Sequence, residues 1–246
     1  MQNTDAGDFY NKVISIIIKH KILFVIGGGL AVFKYTDLNR PTNDLDIYCK
    51  GGDYPKIITI LKTNGVETKI LDERWIAQAL PPKTNNHNLN SKTRVDILFS
   101  SPSYLITVDD LWFEYASEIR LFGQTVKLAP REELVWSKAY IQDRNRFDGA
   151  DINHLILTSD KKLDWKRLLM RMENNWEILL SLLINFRFIY PSKRDLIPKW
   201  LLEELISRLN YQLKNPIPRD KICRGPLLSR TQYKDDITKL GFTTIS

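Results

Sequence analysis

Apolar residues fall every three or four positions along residues 8–20, where Phe9, Val13, Ile16 and Ile17 would share one face of a helix. Residues 22–26 are a short β-rich run that ends at three glycines, Gly27, Gly28 and Gly29, and residues 30–35 restart a helix at once. The glycines therefore sit at a strand-to-helix turn, where backbone amides can face an anion. After a loop around Arg40 and Pro41, residues 44–49 alternate Asp44, Leu45, Asp46, Ile47, as a half-buried strand does. Residues 54–63 read as a helix with Ile57, Ile58 and Leu61 turned inward, ended by Asn64-Gly65. A weaker strand is expected over 67–71, and a polar, asparagine-rich loop over 81–92. Residues 94–100, RVDILFS, read as a strand with Asp96 embedded in an apolar run. Residues 118–121 and 125–128 read as a hairpin about Phe122-Gly123-Gln124.

From Pro130 the period becomes helical and strand patterns stop. Pro130 suits the first position of a helix reaching about residue 143, and residues 148–158, 165–173, 176–190 and 195–209 give four more. Residues beyond 210 carry Pro216, Pro218 and Pro226, with one short helix near 232–240. The expected fold class is α+β: a small mixed sheet with flanking helices over 1–129, a helical domain over 130–210 and an extended tail over 211–246.

Composition narrows the partners. The 246 residues are 43% hydrophobic and 26% charged, an ordinary soluble globular balance. The net charge of +7 fits an anionic partner, nucleotide or nucleic acid, and equally a need for solubility. Cys49 and Cys223 form no CxxC pair, and His20, His87 and His154 are scattered, which excludes the common zinc patterns. Free thiols fit a reducing cytoplasm. The start, MQNTDAGDFY, lacks the apolar core of a signal peptide, and the apolar run over 176–190 is short for a membrane span, so no membrane partner is expected.

Asp44 and Asp46, two apart on a strand, point to one face. Paired carboxylates repel unless a cation lies between them, and oxygen ligands suit Mg²⁺ or Mn²⁺. Asp96 is a third acid, costly to bury without a partner. If its strand adjoins that of Asp44 and Asp46, three carboxylates can hold two metal ions. Each part has a plainer reading: an Asp-x-Asp pair as a solvated face, the glycines as a tight turn, Lys138 as a solvent-facing lysine. Arg144 and Arg146 suit a helix C-terminal cap or partners of Asp148 and Asp151, and Trp165, Trp176 and Trp200 suit core aromatics. Val32 breaks the dinucleotide fingerprint that would start at Gly27, and there is no GKS or GKT phosphate loop.

Gly28-Gly29, then Asp44-Leu45-Asp46-Ile47, then Asp96 in RVDIL resemble the nucleotidyltransferase superfamily with the DNA polymerase β-like fold. RPTNDLDI around Arg40 and the stretch 129–156 look like the small bacterial branch that includes abortive-infection toxin-type transferases. The resemblance implies a metal-dependent enzyme that moves an NMP from an NTP to an acceptor hydroxyl. The acceptor is an RNA 3′ end, a protein or a small molecule. It implies that Asp44, Asp46 and Asp96 are catalytic and hold Mg²⁺ or Mn²⁺. Gly27, Gly28, Gly29, Arg40 and Lys138 would contact the nucleotide, and a cognate antitoxin is an implied partner. The competing reading is a non-catalytic module that binds nucleotide or nucleic acid to regulate a partner.

Overall fold

The computed structural model describes residues 4–38, 42, 44–82, 93–160 and 162–244. Arg40, His87 and most of the asparagine-rich loop lie outside the described residues. The chain divides into two compact units, Met1–Pro130 and Arg131–Ser246.

The first unit is organised by a seven-stranded mixed sheet. In chain order its elements are α1 (Thr4–Lys19), β1 (Val25–Ile26), α2 (Gly28–Thr36), β2 (Asp44–Tyr48), α3 (Tyr54–Thr63), β3 (Glu67–Asp72), β4 (Ile76–Leu80), β5 (Arg94–Leu98), α4 (Leu111–Glu114), β6 (Ser117–Leu121) and β7 (Gln124–Leu128). The strand order is β3-β4-β5-β2-β1-β7-β6. Strands β2 and β5 run parallel, as do β1 and β7, and the remaining neighbours are antiparallel. Period-two burial makes this sheet one-sided at its centre. Leu45, Ile47, Val95, Ile97, Ala77 and Ala79 are fully buried, while the alternate positions Asp44, Asp46 and Arg94 are half-buried. Helix α1 packs on α3 and β7, and its Val13, Ile14 and Ile17 are all at zero exposure.

Two expectations needed correction here. The run at 22–26 supplies a strand of two residues, because Leu23 is exposed and only Val25 and Ile26 find ladder partners. Strand β4 has no counterpart in the pattern reading. Its sequence, IAQAL, contains two alanines and a glutamine, residues with weak strand preference, yet it lies between β3 and β5 with Ile76, Ala77 and Ala79 buried.

The second unit contains α5 (Arg131–Ala139), β8 (Gln142–Asp143), β9 (Arg146–Phe147), α6 (Gly149–Leu157), α7 (Trp165–Arg171), α8 (Trp176–Ile189), α9 (Lys199–Lys214), β10 (Ile222–Cys223), α10 (Lys234–Thr238) and β11 (Thr243–Thr244). Helix α5 packs on α6, α7 and α8, and α8 packs on α9. The helix expected to reach residue 143 stops at Ala139, because β8 and β9 fold back as a hairpin. That hairpin is anchored by Asp143, whose carboxylate accepts from the Asn145 amide (3.3 Å) and the Ser229 hydroxyl (2.6 Å). The segment beyond 210 is likewise more ordered than an extended tail: α9 continues to Lys214, and β10 pairs with β11. Trp165 is a core residue, whereas Trp200 is 41% exposed. Among the described residues no helix is long and apolar enough to cross a membrane.

Candidate active site

The site begins with register. Parallel pairing of β2 with β5 sets Asp44 opposite Arg94 and Asp46 opposite Asp96, and antiparallel pairing of β4 with β5 sets Gln78 opposite Asp96. Gln78, Asp96 and Asp46 therefore form a row across three strands, with Arg94 and Asp44 in the next row on the same face. Local sequence sets only the face: alternation buries the hydrophobic positions of each strand on one side and leaves the polar positions on the other.

Hydrogen bonds tie these side chains together. The Arg94 guanidinium donates through Nη2 to Asp44 Oδ2 (2.6 Å) and through Nε to Asp96 Oδ1 and Oδ2 (3.0 and 3.1 Å). Gln78 Nε2 donates to Asp96 Oδ1 at 2.8 Å, and Thr42 Oγ1 donates to Asp44 Oδ1 at 2.8 Å. Asp96 is 6% exposed, and Arg94 together with Gln78 supplies the partners that a buried carboxylate requires. Tyr10 on α1 also faces this group. Burial, reinforced by the negative charge of Asp44 and opposed by Arg94, pushes its phenol up to about 12.

The glycines meet the acids from the other side. The Gly27 amide donates to the Asp46 carbonyl at 2.9 Å, so it belongs to the sheet ladder and is not available to a ligand. A Cβ at Gly27 would lie 2.3 Å from the Tyr48 ring, and one at Gly28 only 1.6 Å from Asp46 Oδ2. Gly28 also has φ +57°, a left-handed conformation that favours glycine. Gly28 and Gly29 open α2, and first-turn amides have no acceptor within a helix. Gly28, at the start of α2, thus stands beside the Asp46 carboxylate.

The carboxylate set has the chemistry of a hard divalent-cation site. Among the described residues, however, no three His, Cys, Asp or Glu side chains converge as a ready metal-ligand group. The cation that joins Asp44 to Asp96 here is Arg94. Asp44, Asp46 and Asp96 are oxygen donors of the type Mg²⁺ or Mn²⁺ takes and lie on one face, but Arg94 holds oxygens of two of them.

Lys138 belongs to the second unit. Its side chain is 5% exposed, with Nζ 2.7 Å from Asp148 Oδ2 and 2.8 Å from Asp151 Oδ2, which rules out the solvent-facing reading. Arg146 also pairs with Asp148, at 3.0 Å. Sequence reasoning missed Arg94, Gln78 and Tyr10. Arg94 was legible in principle, because it is two residues before Asp96 and must share its face. Gln78 required β4 to be recognised, and Tyr10 required the tertiary placement of α1.

No protein-family model and no curated protein matches the chain. Solved structures do. An antigenic nucleotidyltransferase-like protein from Paracoccidioides brasiliensis aligns with a TM-score of 0.50 at 18% identity, over 79% of this chain and 90% of that one. The antibiotic-resistance factor ANT(2'')-Ia aligns at 0.45 and 14% identity, over 79% and 97%. JHP933 from Helicobacter pylori aligns at 0.41 and 14% identity, over 95% and 97%. The chain has the nucleotidyltransferase fold, an α+β architecture with a mixed sheet and flanking helices.

Proposed function

We propose that this chain uses its nucleotidyltransferase fold to move a nucleoside monophosphate from an NTP, ATP among them, to an acceptor hydroxyl. The observation that carries the reading is the in-register pairing of Asp46 with Asp96, beside a glycine whose missing side chain lets α2 start against the Asp46 carboxylate. Gly28 and Gly29 present their amides to the triphosphate, where the helix start favours negative charge. Gly27 shapes the turn rather than contacting phosphate. Asp44, Asp46 and Asp96 would hold Mg²⁺ or Mn²⁺, which when bound neutralises charge on the attacking and leaving oxygens.

Asp96 takes the proton of the acceptor hydroxyl on a carboxylate oxygen. The freed oxygen attacks the α-phosphorus in line, a new P–O bond forms, and the bond to the bridging oxygen breaks. Pyrophosphate leaves with that electron pair. An RNA 3′ end, a protein side chain or a small hydroxylated molecule can serve as acceptor. Blocking an RNA end or modifying a protein would make the chain a toxin, with a cognate antitoxin as partner.

A labelled-NTP panel with Mg²⁺ against pooled RNA, protein and small-molecule acceptors tests the reading. Transfer to one class, lost in Asp46→Asn while circular dichroism stays unchanged, is the expected result. Nucleotide binding with no transfer to any acceptor would replace the enzyme with a regulatory binding module. Wild-type transfer by Asp46→Asn would remove the acids from the mechanism.

A further inference from the structure

We propose that Arg94 is the resident cation of the acid cleft, holding Asp44 and Asp96 together in the metal-free protein and competing with a divalent ion for their oxygens. The inference rests on the transferase reading for the identity of the ion, and on the geometry for the competition. All four carboxylate oxygens of Asp44 and Asp96 already accept a hydrogen bond, three of them from Arg94. Each of these oxygens has a second lone pair, but a divalent ion bound there would crowd the guanidinium and repel its like charge, so ion and Arg94 compete for the same acids.

The alternative, that Arg94 is a surface residue with incidental partners, does not fit its position. It is opposite Asp44 in the strand register and on the same face as Asp96, and its side chain is 30% exposed. Arginine's planar fork can engage two carboxylates at once, as it does here. It remains fully charged at any physiological pH, so only a competing cation or a competing anion can release it. The triphosphate of an incoming nucleotide offers such an anion. Metal and nucleotide would then enter together, each removing one side of the Arg94 clamp.

The test is Mn²⁺ binding without nucleotide, measured by paramagnetic relaxation on the full chain. Arg94→Gln should bind Mn²⁺ about tenfold more tightly than wild type, and Arg94→Lys, which keeps the charge but loses the fork, should fall between them. Equal or weaker binding by Arg94→Gln overturns the proposal. A second measurement avoids any folding defect of the variants. In the wild type, the Arg94 Nε–H resonance should be protected from exchange in the metal-free protein and should lose that protection on Mg²⁺ titration. An Nε–H signal that is unchanged while Mg²⁺ binds also overturns it. If wild type transfers nucleotide but Arg94 neither competes nor moves, only this inference fails. If wild type binds no metal in any state and transfers nothing, the transferase reading fails with it.

Discussion

At the scale of single residues, Gly28 has the least freedom to change. It combines a positive φ with a backbone so close to Asp46 that a methyl group would overlap the carboxylate. Alanine there carries both the left-handed backbone penalty and the displacement of Asp46. Gly28→Ala should cost about 1–3 kcal/mol of stability in urea denaturation, and should abolish transfer even where the protein still folds. By contrast, a Cβ at Gly29 would meet Thr42 Oγ1 at 3.5 Å, an ordinary contact. Gly29→Ala should therefore be the milder variant in the same two measurements. Cys49 is chemically quiet by the same kind of argument: burial pushes its thiol up to about 12.

At the scale of elements, two strand pairings assemble the candidate site, and one buried ion cluster lies in the helical unit. The β2–β5 register sets Asp46 opposite Asp96 and Asp44 opposite Arg94, and the β4–β5 register adds Gln78. In the helical unit, α5 and α6 bury Lys138 between Asp148 and Asp151. Burial alone would raise the Asp148 carboxyl, but the Arg146 hydrogen bond and the Lys138 charge outweigh it and lower it. A carboxyl lowered on folding contributes stability above its unfolded value, and that contribution disappears as pH falls through its folded value. Unfolding followed at pH 7 and again below about 4 should therefore show a gap between wild type and Asp148→Asn that narrows in acid. At neutral pH the gap should reach about 3–5 kcal/mol, the cost of leaving a buried lysine with a broken pair. A phosphate contact from Lys138 would require it to leave these acids.

At the scale of the whole molecule, charge is unevenly placed along the chain. Residues 1–130 hold fifteen Lys and Arg against fourteen Asp and Glu, nearly neutral. Residues 211–246 hold seven Lys and Arg against three Asp, four of the chain's seven net positive charges. The basic character therefore belongs mainly to the C-terminal segment, where the proposed RNA acceptor, if it is the substrate, is expected to bind. Lys214→Gln, Arg219→Gln and Lys221→Gln together should weaken RNA binding and flatten its salt dependence by up to about one logarithmic unit per contact removed. Transfer to a small-molecule acceptor should be unchanged. An unaltered salt slope would remove RNA from this segment.

The amphipathic and alternating patterns determined a great deal by themselves. Hydrophobic periodicity placed α1, α3, β2, β5, the β6–β7 hairpin and the helices of the second half, because each has a buried face encoded within its own few turns or residues. The same alternation put Asp44 and Asp46 on one face. What the sequence did not determine was everything set by a distant partner. β4 is a strand because β3 and β5 flank it, not because IAQAL prefers to be one. The chain after Ala139 turns back as the β8–β9 hairpin, whose Asp143 carboxylate accepts from Ser229, 86 residues further along. Asp46 faces Asp96, and Arg94 bridges Asp44 to Asp96, only through the parallel register of β2 and β5. Local periodicity is a property of neighbouring residues, whereas register is fixed by the ladder between strands fifty residues apart, and the acid cleft depends on register.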